Sequence, residues 1–420
     1  MPFYRTPGET KRFFSKTHVG RDQLLSRGKS GLDKLVKSAA EAAKNGYKYL
    51  WDDTCCIDKS SSAELSEAIN SMLEWYRRAE VCYVYLADFD YTEGVGLGSS
   101  SVRWFTRGWT LQELIAPFQV HFYDKNWVRF GDKQSLAAQL VAATNIHELV
   151  FLWHPYDRNL HPSSHLCRYC RTDLGHVLRS FNIATRMSWA AHRKTTRPED
   201  LAYSLLGIFN VNMPMIYGEG PRAFFRLQQA ILEHSADQSI LAFDSLGHQV
   251  PGWEGRSILA THPQQFVSWI GQRPCEPVGR GGKMALTNNG LEVDVHIALA
   301  KWQGSVFPTA GPDLVWLAVL RFPLSKSLMR ASAIPLFELE DKDQGSQNQA
   351  TIRHFSRLAT DDTWTVSIGS DIAESTLGRK ASKSCPRHRP TYTNVLVSQD
   401  ALCRDRIRHT AEAGDYTATE

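Results

Sequence analysis

A continuous apolar run, Val81–Ala87, constrains the fold of this chain more than any other feature. It is too short for an amphipathic helix, and its lack of polar alternation indicates a strand that is covered on both faces. Strands of this kind occur mainly in parallel sheets with helices on both sides. The surrounding sequence must therefore supply helices, together with neighbouring strands that run in the same direction.

The flanking sequence supplies such elements in alternation. In chain order they are a helix at 32–45, a strand at Tyr47–Trp51, a helix that begins after the Ser-x-x-Glu capping box of Ser61 and Glu64, the apolar run itself, a helix at 109–115, and a strand at Gln119–Tyr123. Alternation with short connections is typical of a parallel sheet with helices on both faces. We therefore predict an α/β fold for residues 31–147, after an irregular N-terminus at 1–30.

The rest of the chain divides into four further segments. We predict an irregular insertion at 148–182, a helical segment at 183–238, a β-rich domain at 239–368 and a disordered tail at 369–420. Pro198 stands where the first residue of a helix would be, and Tyr217–Pro221 is predicted to be a turn. The β-rich prediction rests on runs such as Leu291–Ile297 and Leu314–Leu320, and the tail is rich in Ser, Arg and Lys.

Composition limits the classes of function. A net charge of +4 over 420 residues gives no basis for nucleic-acid binding. No run approaches about 18 uninterrupted apolar residues, and the N-terminus lacks the apolar core of a secretory signal. We therefore expect no membrane association and a cytoplasmic location. Eight cysteines are too few for a disulfide scaffold, which also favours a reducing compartment.

The first candidate site is the acidic loop that follows the strand Tyr47–Trp51. Loops at the carboxyl ends of parallel strands line the ligand crevice of a sheet. Asp52, Asp53 and Asp58 are therefore placed to hold a ribose hydroxyl or a cation. Acidic residues are also common in loops for local reasons, because they cap helices and stabilise turns. Spacing alone favours this structural role.

The second candidate site is on the next predicted helix. Trp109 and Glu113 are four residues apart there, so they share a face. We expect Glu113 near the carboxyl end of the apolar strand, where a carboxylate beside an indole suits a general base or a stabiliser of an oxocarbenium ion. The alternative is a buried glutamate that pairs with Arg103 or Arg107 and fixes the helix. Spacing alone favours this alternative.

A Cys-x-x-Cys pair with nearby histidines has the residue types of a zinc site. The residues are His161, His165, Cys167, Cys170 and His176. No second well-spaced pair accompanies them, so the spacing falls short of a four-ligand zinc pattern. We therefore predict no metal site and assign these residues to the irregular insertion.

Several sequence blocks together resemble the heterokaryon incompatibility (HET) domain of filamentous fungi. They are Tyr49–Lys59, Ser62–Asn70, Trp75–Ala79, Arg103–Leu114, Gly131–Lys133, Arg186–Ala190, Thr195–Arg197, Glu199–Asp200, Ala202–Phe209 and Met213–Gly220. The resemblance covers residues 32–240 and is specific, because many separate blocks match in the same order. It implies non-self recognition that triggers programmed cell death when unlike hyphae fuse. It also implies protein partners in incompatibility signalling and self-association.

The fold implied by this resemblance is similar to the TIR domain, a flavodoxin-like parallel sheet. Some TIR domains cleave NAD at the nicotinamide–ribose bond with one glutamate on the helix after the third strand, and Glu113 occupies a similar place. The resemblance thus implies NAD as a substrate rather than a bound cofactor. The implied residues are Glu113 as the catalytic carboxylate and Asp52, Asp53, Asp58, Trp109 and Arg107 as ligand-binding residues. A non-catalytic TIR-like interaction module and an inactive truncated paralogue are the alternatives.

One feature of the family has no counterpart in this chain. The HET domain usually opens with a strand of the form Tyr-x-x-Leu-Ser-x-x-Trp-Gly, and residues 1–30 hold nothing similar. We therefore expect the first strand of the domain to be missing or replaced. An absent first strand would leave an open edge on the central strand of the sheet.

Overall fold

A computed structural model describes residues 2–4, 29–94, 96–97, 102–155, 170–171, 173–244 and 259–274, together with strand residues between 284 and 397. The chain forms two compact units. The first is Met1–Arg179 with His192–Ala223, and the second is Ser180–Ala191 with Phe224–Glu420. The acidic loop and the helix that carries Glu113 both lie in the first unit.

The first unit is built on a five-stranded sheet. Its strands are β1 (Pro2–Tyr4), β2 (Tyr49–Leu50), β3 (Val81–Tyr85), β4 (Val120–Tyr123) and β5 (Arg129–Asp132), in the order β2-β1-β3-β4-β5. This is the strand order of flavodoxin-like sheets. β3 and β4 run parallel, but β1 is antiparallel to β2 and β3, and β5 is antiparallel to β4. The sheet is therefore mixed, and the prediction of a parallel sheet is wrong for its β1 and β5 strands.

The helices of the chain alternate with these strands and continue beyond them. They are α1 (Lys29–Lys44), α2 (Ser62–Arg78), α3 (Thr110–Ile115), α4 (Ala137–Thr144), α5 (Leu149–Leu152), α6 (Leu174–Arg179), α7 (Ile183–Ser188), α8 (Pro198–Tyr203), α9 (Leu206–Phe209) and α10 (Arg222–His234). Among the described residues, no helix combines the length and the apolar character that crossing a membrane requires.

Helix α2 begins at the predicted capping site, with one difference. The Ser61 side chain accepts a hydrogen bond from the Glu64 amide at 3.3 Å, as expected for a cap. The Glu64 carboxylate does not return to the Ser61 amide, because that amide already donates to the Asp58 carbonyl at 3.2 Å. It accepts instead from the Asp58 amide at 2.9 Å. The start of α2 is thus tied to the acidic loop.

Strand β3 is the buried strand that the apolar run predicts. Its first four residues, Val81 to Val84, are all buried. On α2 the predicted apolar face is buried at Ile69, Met72 and Tyr76, while Leu65 and Leu73 are half-buried. Helix α2 packs against α3 and α9, so it links the sheet region to the downstream helices of the same unit.

Strand β1 takes the place of the missing first strand. Phe3 lies opposite both Leu50 and Val81, so β1 joins β2 to β3 and covers the edge of β3. The expectation of an irregular N-terminus is therefore wrong at Pro2–Tyr4. Because Leu50 and Val81 both pair with Phe3, they lie at the same height across the sheet. The residues after β2 therefore lie beside the amino-terminal half of β3. This register determines the position of the acidic loop.

The insertion predicted to be irregular contains regular elements. Besides α5 and α6 it holds β6 (His154–Pro155) and β7 (Cys170–Arg171), which pair in parallel. Helix α5 forms because Leu149, Val150 and Phe151 are buried. Helix α6 begins where the Asp173 carboxylate accepts from the His176 amide at 2.7 Å.

The second unit contains a seven-stranded sheet. Its strands are β8 (Met284–Thr287), β9 (Gly290–Lys301), β10 (Leu314–Val319), β11 (Arg330–Leu339), β12 (His354–Arg357), β13 (Trp364–Ser367) and β14 (Tyr392–Val397). The runs that predicted strands fall in β9 and β10. Strand β14 pairs with β9 and β12, so the prediction of a disordered tail is wrong there. The β-branched and aromatic residues of this strand favour pairing within an otherwise polar segment.

A lysine side chain is enclosed beside the sheet of the first unit. Lys133 is buried, and its side-chain nitrogen donates to the Ile115 carbonyl at 3.4 Å and to the Pro117 carbonyl. Removal from water lowers the pKa of Lys133 from 10.5 to about 7. The folded protein therefore releases this proton at a lower pH than the unfolded chain does.

Lys133 should make the free energy of unfolding depend on alkaline pH. From about pH 7 to about pH 10, the unfolded chain binds a proton that the folded protein has released, so this contribution to stability rises with pH. Urea denaturation gives the free energy of unfolding of wild type and of Lys133→Met. The value for wild type minus that for the variant should be about 2 kcal/mol larger at pH 9 than at pH 7. Lys125→Met is the control, because hydrogen bonds to Asp90 and Glu93 raise the pKa of Lys125. A constant difference for Lys133→Met would contradict the buried neutral amine.

Candidate functional site

The acidic loop is a tight turn organised by Asp52. This residue is buried, and its carboxylate accepts from the Thr54 amide at 2.8 Å. Its carbonyl accepts from the amides of Cys55 at 3.1 Å and Cys56 at 2.8 Å. Asp53 is exposed, and its carboxylate accepts from the Thr54 hydroxyl at 3.2 Å. The structural role that the sequence favoured for Asp52 is therefore present.

Asp58 also serves a local turn. It is exposed, and its carboxylate accepts from the Ser60 hydroxyl at 2.6 Å and from the Ser60 amide at 2.9 Å. These hydrogen bonds, that of the hydroxyl first, hold the pKa of Asp58 below its ordinary value. Asp58 thus shapes the lead-in to α2.

Glu113 lies beside the amino-terminal half of β3. It stands in α3 and is half-buried. Its carboxylate raises the pKa of Tyr76, near the end of α2, and that of Cys82, the second residue of β3; burial is the larger cause for both groups. Both of these neighbours lie at or before the start of β3, whereas the sequence led us to expect Glu113 near the carboxyl end of this strand. Helix α3 is six residues long, and Glu113 is its fourth residue.

The Tyr76 phenol is the point on which the predicted carboxylates converge. Burial raises its pKa well above the ordinary value, and Glu113 is the next cause. Asp53 and Asp52 raise it further. The edge-to-face contact of Tyr76 with Trp51, at 5.7 Å between ring centroids, holds the phenol beside the acidic loop. Glu113, Asp52 and Asp53 therefore share one neighbourhood, although 60 residues separate the loop from the helix.

The cation near Glu113 is Arg193. Its guanidinium is buried and donates to the Arg107 carbonyl at 2.8 Å and to the Thr110 hydroxyl at 3.0 Å. Burial lowers the pKa of Arg193, and the Glu113 carboxylate opposes this effect. The sequence offered Arg103 and Arg107 for this role. Arg103 instead pairs with Asp88 at 3.0 Å, and the Arg107 side chain is exposed.

Trp109 is held in position by a hydrogen bond to a carboxylate of α8. It precedes α3 and hydrogen-bonds to the Asp200 carboxylate, which also accepts from the Tyr217 hydroxyl at 2.9 Å. Burial raises the pKa of Asp200, and these two hydrogen bonds oppose the rise. The Arg197 guanidinium stacks over the Tyr217 ring at 4.5 Å. The start of α3, and with it Glu113, is therefore held in position by downstream residues.

The predicted turn at Tyr217–Pro221 is also hydrogen-bonded to α8. The Glu199 carboxylate accepts from the amides of Gly218 at 2.8 Å and Gly220 at 2.9 Å. Both glycines have positive φ, +102° and +59°, a conformation that glycine adopts without strain. The Tyr203 hydroxyl donates to Glu219 at 3.0 Å. The sequence blocks around 199 and 217 thus form one hydrogen-bonded unit, which local patterns did not reveal.

Most of the histidines and cysteines considered for a metal site cannot be placed in the fold. His161, His165 and Cys167 lie outside the described residues. Where side chains are described, no group of three or more His, Cys, Asp or Glu could hold a metal ion. The same holds for the acidic loop, whose residues are all described.

Comparison with known proteins finds a family match within the first unit. The family model described as "Heterokaryon incompatibility protein (HET)" matches residues 8–101. The chain is also 44% identical over 211 residues to "Vegetative incompatibility protein HET-E-1" of Podospora anserina, over 48% of this chain and 14% of that relative. No solved structure matches the chain.

The chain therefore contains a fungal heterokaryon incompatibility (HET) domain, as the resemblance predicted. It spans about one seventh of the length of the relative, since the matched stretch is 14% of that protein. The acidic loop and Tyr76 lie inside the segment that the family model matches, whereas Glu113 and Arg193 lie beyond its end at residue 101.

Proposed function

We propose that this chain acts in heterokaryon incompatibility, as a non-self recognition protein that triggers programmed cell death when unlike hyphae fuse. The HET domain and the 44% identity to a vegetative incompatibility protein support this role. The proposal includes a cytoplasmic location, protein partners in incompatibility signalling and self-association. Neither nucleic acid nor a membrane is part of it.

The finer proposal is a TIR-like cleavage of NAD at the nicotinamide–ribose bond, with Glu113 as the catalytic carboxylate. As this bond breaks, nicotinamide leaves as a neutral base and positive charge develops on the ribose ring. Water then adds to the ring carbon and releases one proton to solvent, so that a ribose hydroxyl replaces nicotinamide. A carboxylate beside the ring stabilises this charge, most strongly where water is partly excluded. Glu113 meets this requirement because it is half-buried and lies close enough to the Tyr76 phenol to raise its pKa.

The convergence of three carboxylates on Tyr76 carries the enzymatic proposal. Asp52 and Asp53 add negative charge near Glu113, which stabilises the positive charge that develops on the ribose ring in the transition state. Trp109 and Arg107 both precede α3, and we propose them as ligand-binding residues beside Glu113. In this proposal Asp58 acts through the turn before α2.

A second candidate is a non-catalytic interaction module, and Arg193 favours it. The buried Arg193 guanidinium ties the start of α3 through the Arg107 carbonyl and the Thr110 hydroxyl, and the Glu113 carboxylate has the structural task of favouring its charged form. Asp52 and Asp58 also have structural tasks in their own turns. In this alternative the domain works by self-association and recruitment of partners.

Nicotinamide release separates the two candidates. The full chain is incubated with NAD, and nicotinamide is measured for wild type and for the isosteric variant Glu113→Gln. We expect Glu113→Gln to lower the rate by about 100-fold or more, because the loss of a charged catalytic group costs at least this much. The matched control is Glu93→Gln, a change at an exposed carboxylate that should keep the wild-type rate.

The outcomes that contradict the enzymatic proposal are distinct. Equal release by wild type and Glu113→Gln would remove Glu113 from the chemistry. No release by wild type, with self-association detected by sedimentation, would favour the interaction module. Thermal melting of each variant is measured alongside, so that a loss of rate through unfolding is recognised.

A further inference from the structure

Two consecutive cysteines in the acidic loop have no part in the proposed function. Cys55 and Cys56 are both free thiols and both half-buried, so reagents reach them from solvent. The third described cysteine, Cys82, is not part of a disulfide either, but it is fully buried in β3. The chain therefore presents an accessible pair of neighbouring thiols and an enclosed thiol in the same unit.

Both thiols contact the same peptide segment. The Cys56 sulfur accepts from the Asp52 amide at 3.4 Å, and the Cys55 thiol donates to the Asp52 carbonyl at 3.7 Å. The turn that Asp52 organises also holds both cysteine amides on one carbonyl. This backbone arrangement keeps the two side chains together on one side of the turn, close enough for a hydrogen bond between their sulfurs.

The two thiols differ in reactivity. When the Cys55 thiol turns its one proton from the Asp52 carbonyl to Cys56, this hydrogen bond lowers the pKa of Cys56, and the Asp52 amide lowers it further against the effect of burial. The same contact with Cys56, and then burial, raise the pKa of Cys55. Since the thiolate is the nucleophile, Cys56 is the thiol that reacts first, and Cys55 is the proton donor beside it.

We propose that Cys55 and Cys56 form a peroxide-sensitive dithiol, in which Cys56 is oxidised first and Cys55 then closes a disulfide between the neighbouring residues. The oxidant is a hydroperoxide, with hydrogen peroxide as the simplest case. This modification site is independent of Glu113 and of NAD cleavage, because neither reaction step uses those groups.

The reaction balances with one peroxide per dithiol. The Cys56 thiolate attacks one oxygen of hydrogen peroxide, so an S–O bond forms, the O–O bond breaks, and the leaving hydroxide takes a proton to become water. Cys56 is then a sulfenic acid. The Cys55 sulfur attacks the Cys56 sulfur, which forms the S–S bond and breaks the S–O bond, and a second water leaves. Two thiols are oxidised and one peroxide is reduced.

Chain geometry makes this disulfide easy to reverse. Neighbouring Cα atoms are about 3.8 Å apart, whereas disulfides usually join Cα atoms roughly 4.4–6.8 Å apart. A bond between adjacent cysteines is therefore strained and readily reduced, as in labile regulatory disulfides. Its formation also removes the Cys56 sulfur from the Asp52 amide, so oxidation alters the turn that leads to α2.

Peptide mapping tests the proposal on the full chain. Reduced protein is treated with hydrogen peroxide, remaining thiols are alkylated, and trypsin releases the segment Tyr49–Lys59, which contains both cysteines. We expect this peptide to lack two hydrogens and both alkyl groups, and to regain the thiols after reduction by dithiothreitol. Cys82, in a separate tryptic peptide, is the internal control and should stay reduced.

Two variants test the order of reaction. Cys56→Ser should react with peroxide about tenfold more slowly than wild type, because the thiol with the lowered pKa is removed. Cys55→Ser should react at a similar initial rate but accumulate sulfenic and sulfinic acid at Cys56, since the resolving thiol is absent. The proposal is overturned if wild type also ends as sulfinic acid, if the pair stays reduced while Cys82 oxidises, or if Cys55 and Cys56 bond to other cysteines instead of each other.

Discussion

Gly207→Ala should destabilise the first unit by about 1–3 kcal/mol, the usual cost of forcing an extra carbon into a packed interface. Gly207 lies in α9, where this helix crosses α2 closely. A Cβ at this position would overlap the Cβ of Leu73 and lie 3.0 Å from its Cγ. The nearest obstacle belongs to the root of the Leu73 side chain, so rotation of that side chain does not relieve the overlap. Backbone movement of one helix is required.

Helix propensity alone would predict the opposite effect, a stabilisation by Gly207→Ala. Alanine favours a helix over glycine by about 1 kcal/mol, so the substitution would stabilise α9 if space were available. Gly96→Ala is the control, because among the described residues its added Cβ would meet the Gln139 side chain alone, at an ordinary 3.6 Å. Urea denaturation should show a clear loss for Gly207→Ala and little change for Gly96→Ala. A Gly207→Ala protein as stable as wild type would contradict the close approach of α2 and α9.

Local patterns predicted the elements of the first unit well. The apolar run at 81–87 contains strand β3, and helix α2 begins directly after the cap at Ser61. These signals are local, because burial on both faces and an orphan amide at a helix start leave marks within a few residues. Strand direction leaves no such mark. The antiparallel β1 and β5 were therefore not foreseen, since Pro2–Tyr4 is too short to carry a pattern.

Contacts between distant residues explain why the site was only partly predicted. Glu113, Asp52 and Asp53 do share a neighbourhood, but the register of β2 against β3 places it beside the first half of β3. The predicted partners of Glu113 were the nearest arginines in sequence. Arg193, 80 residues further along, is the one that the fold brings to it. No spacing rule connects positions so far apart.

Arg193→Met should be the most damaging single charge removal in the first unit. Methionine fills a similar volume but leaves the Arg107 carbonyl and the Thr110 hydroxyl without the guanidinium that they now contact. It also leaves Glu113 without its nearby cation. Removal of one partner from a buried charged pair typically costs about 3–5 kcal/mol, because the remaining polar groups stay desolvated. We expect a loss in the lower part of this range, since half-buried Glu113 retains some contact with water.

Arg103→Met is the matched control, because it removes an arginine from an exposed pair. The Arg103 side chain is 81% exposed, and exposed ion pairs contribute about 0–1 kcal/mol. The double variant Arg193→Met with Glu113→Gln should recover about 1 kcal/mol or more relative to Arg193→Met alone, since the unpaired carboxylate is then gone. Equal losses for Arg193→Met and Arg103→Met would show that the guanidinium is not enclosed. A double variant no more stable than Arg193→Met would separate Arg193 from Glu113 energetically, and it would leave this carboxylate free for the chemistry of NAD cleavage rather than for bracing α3.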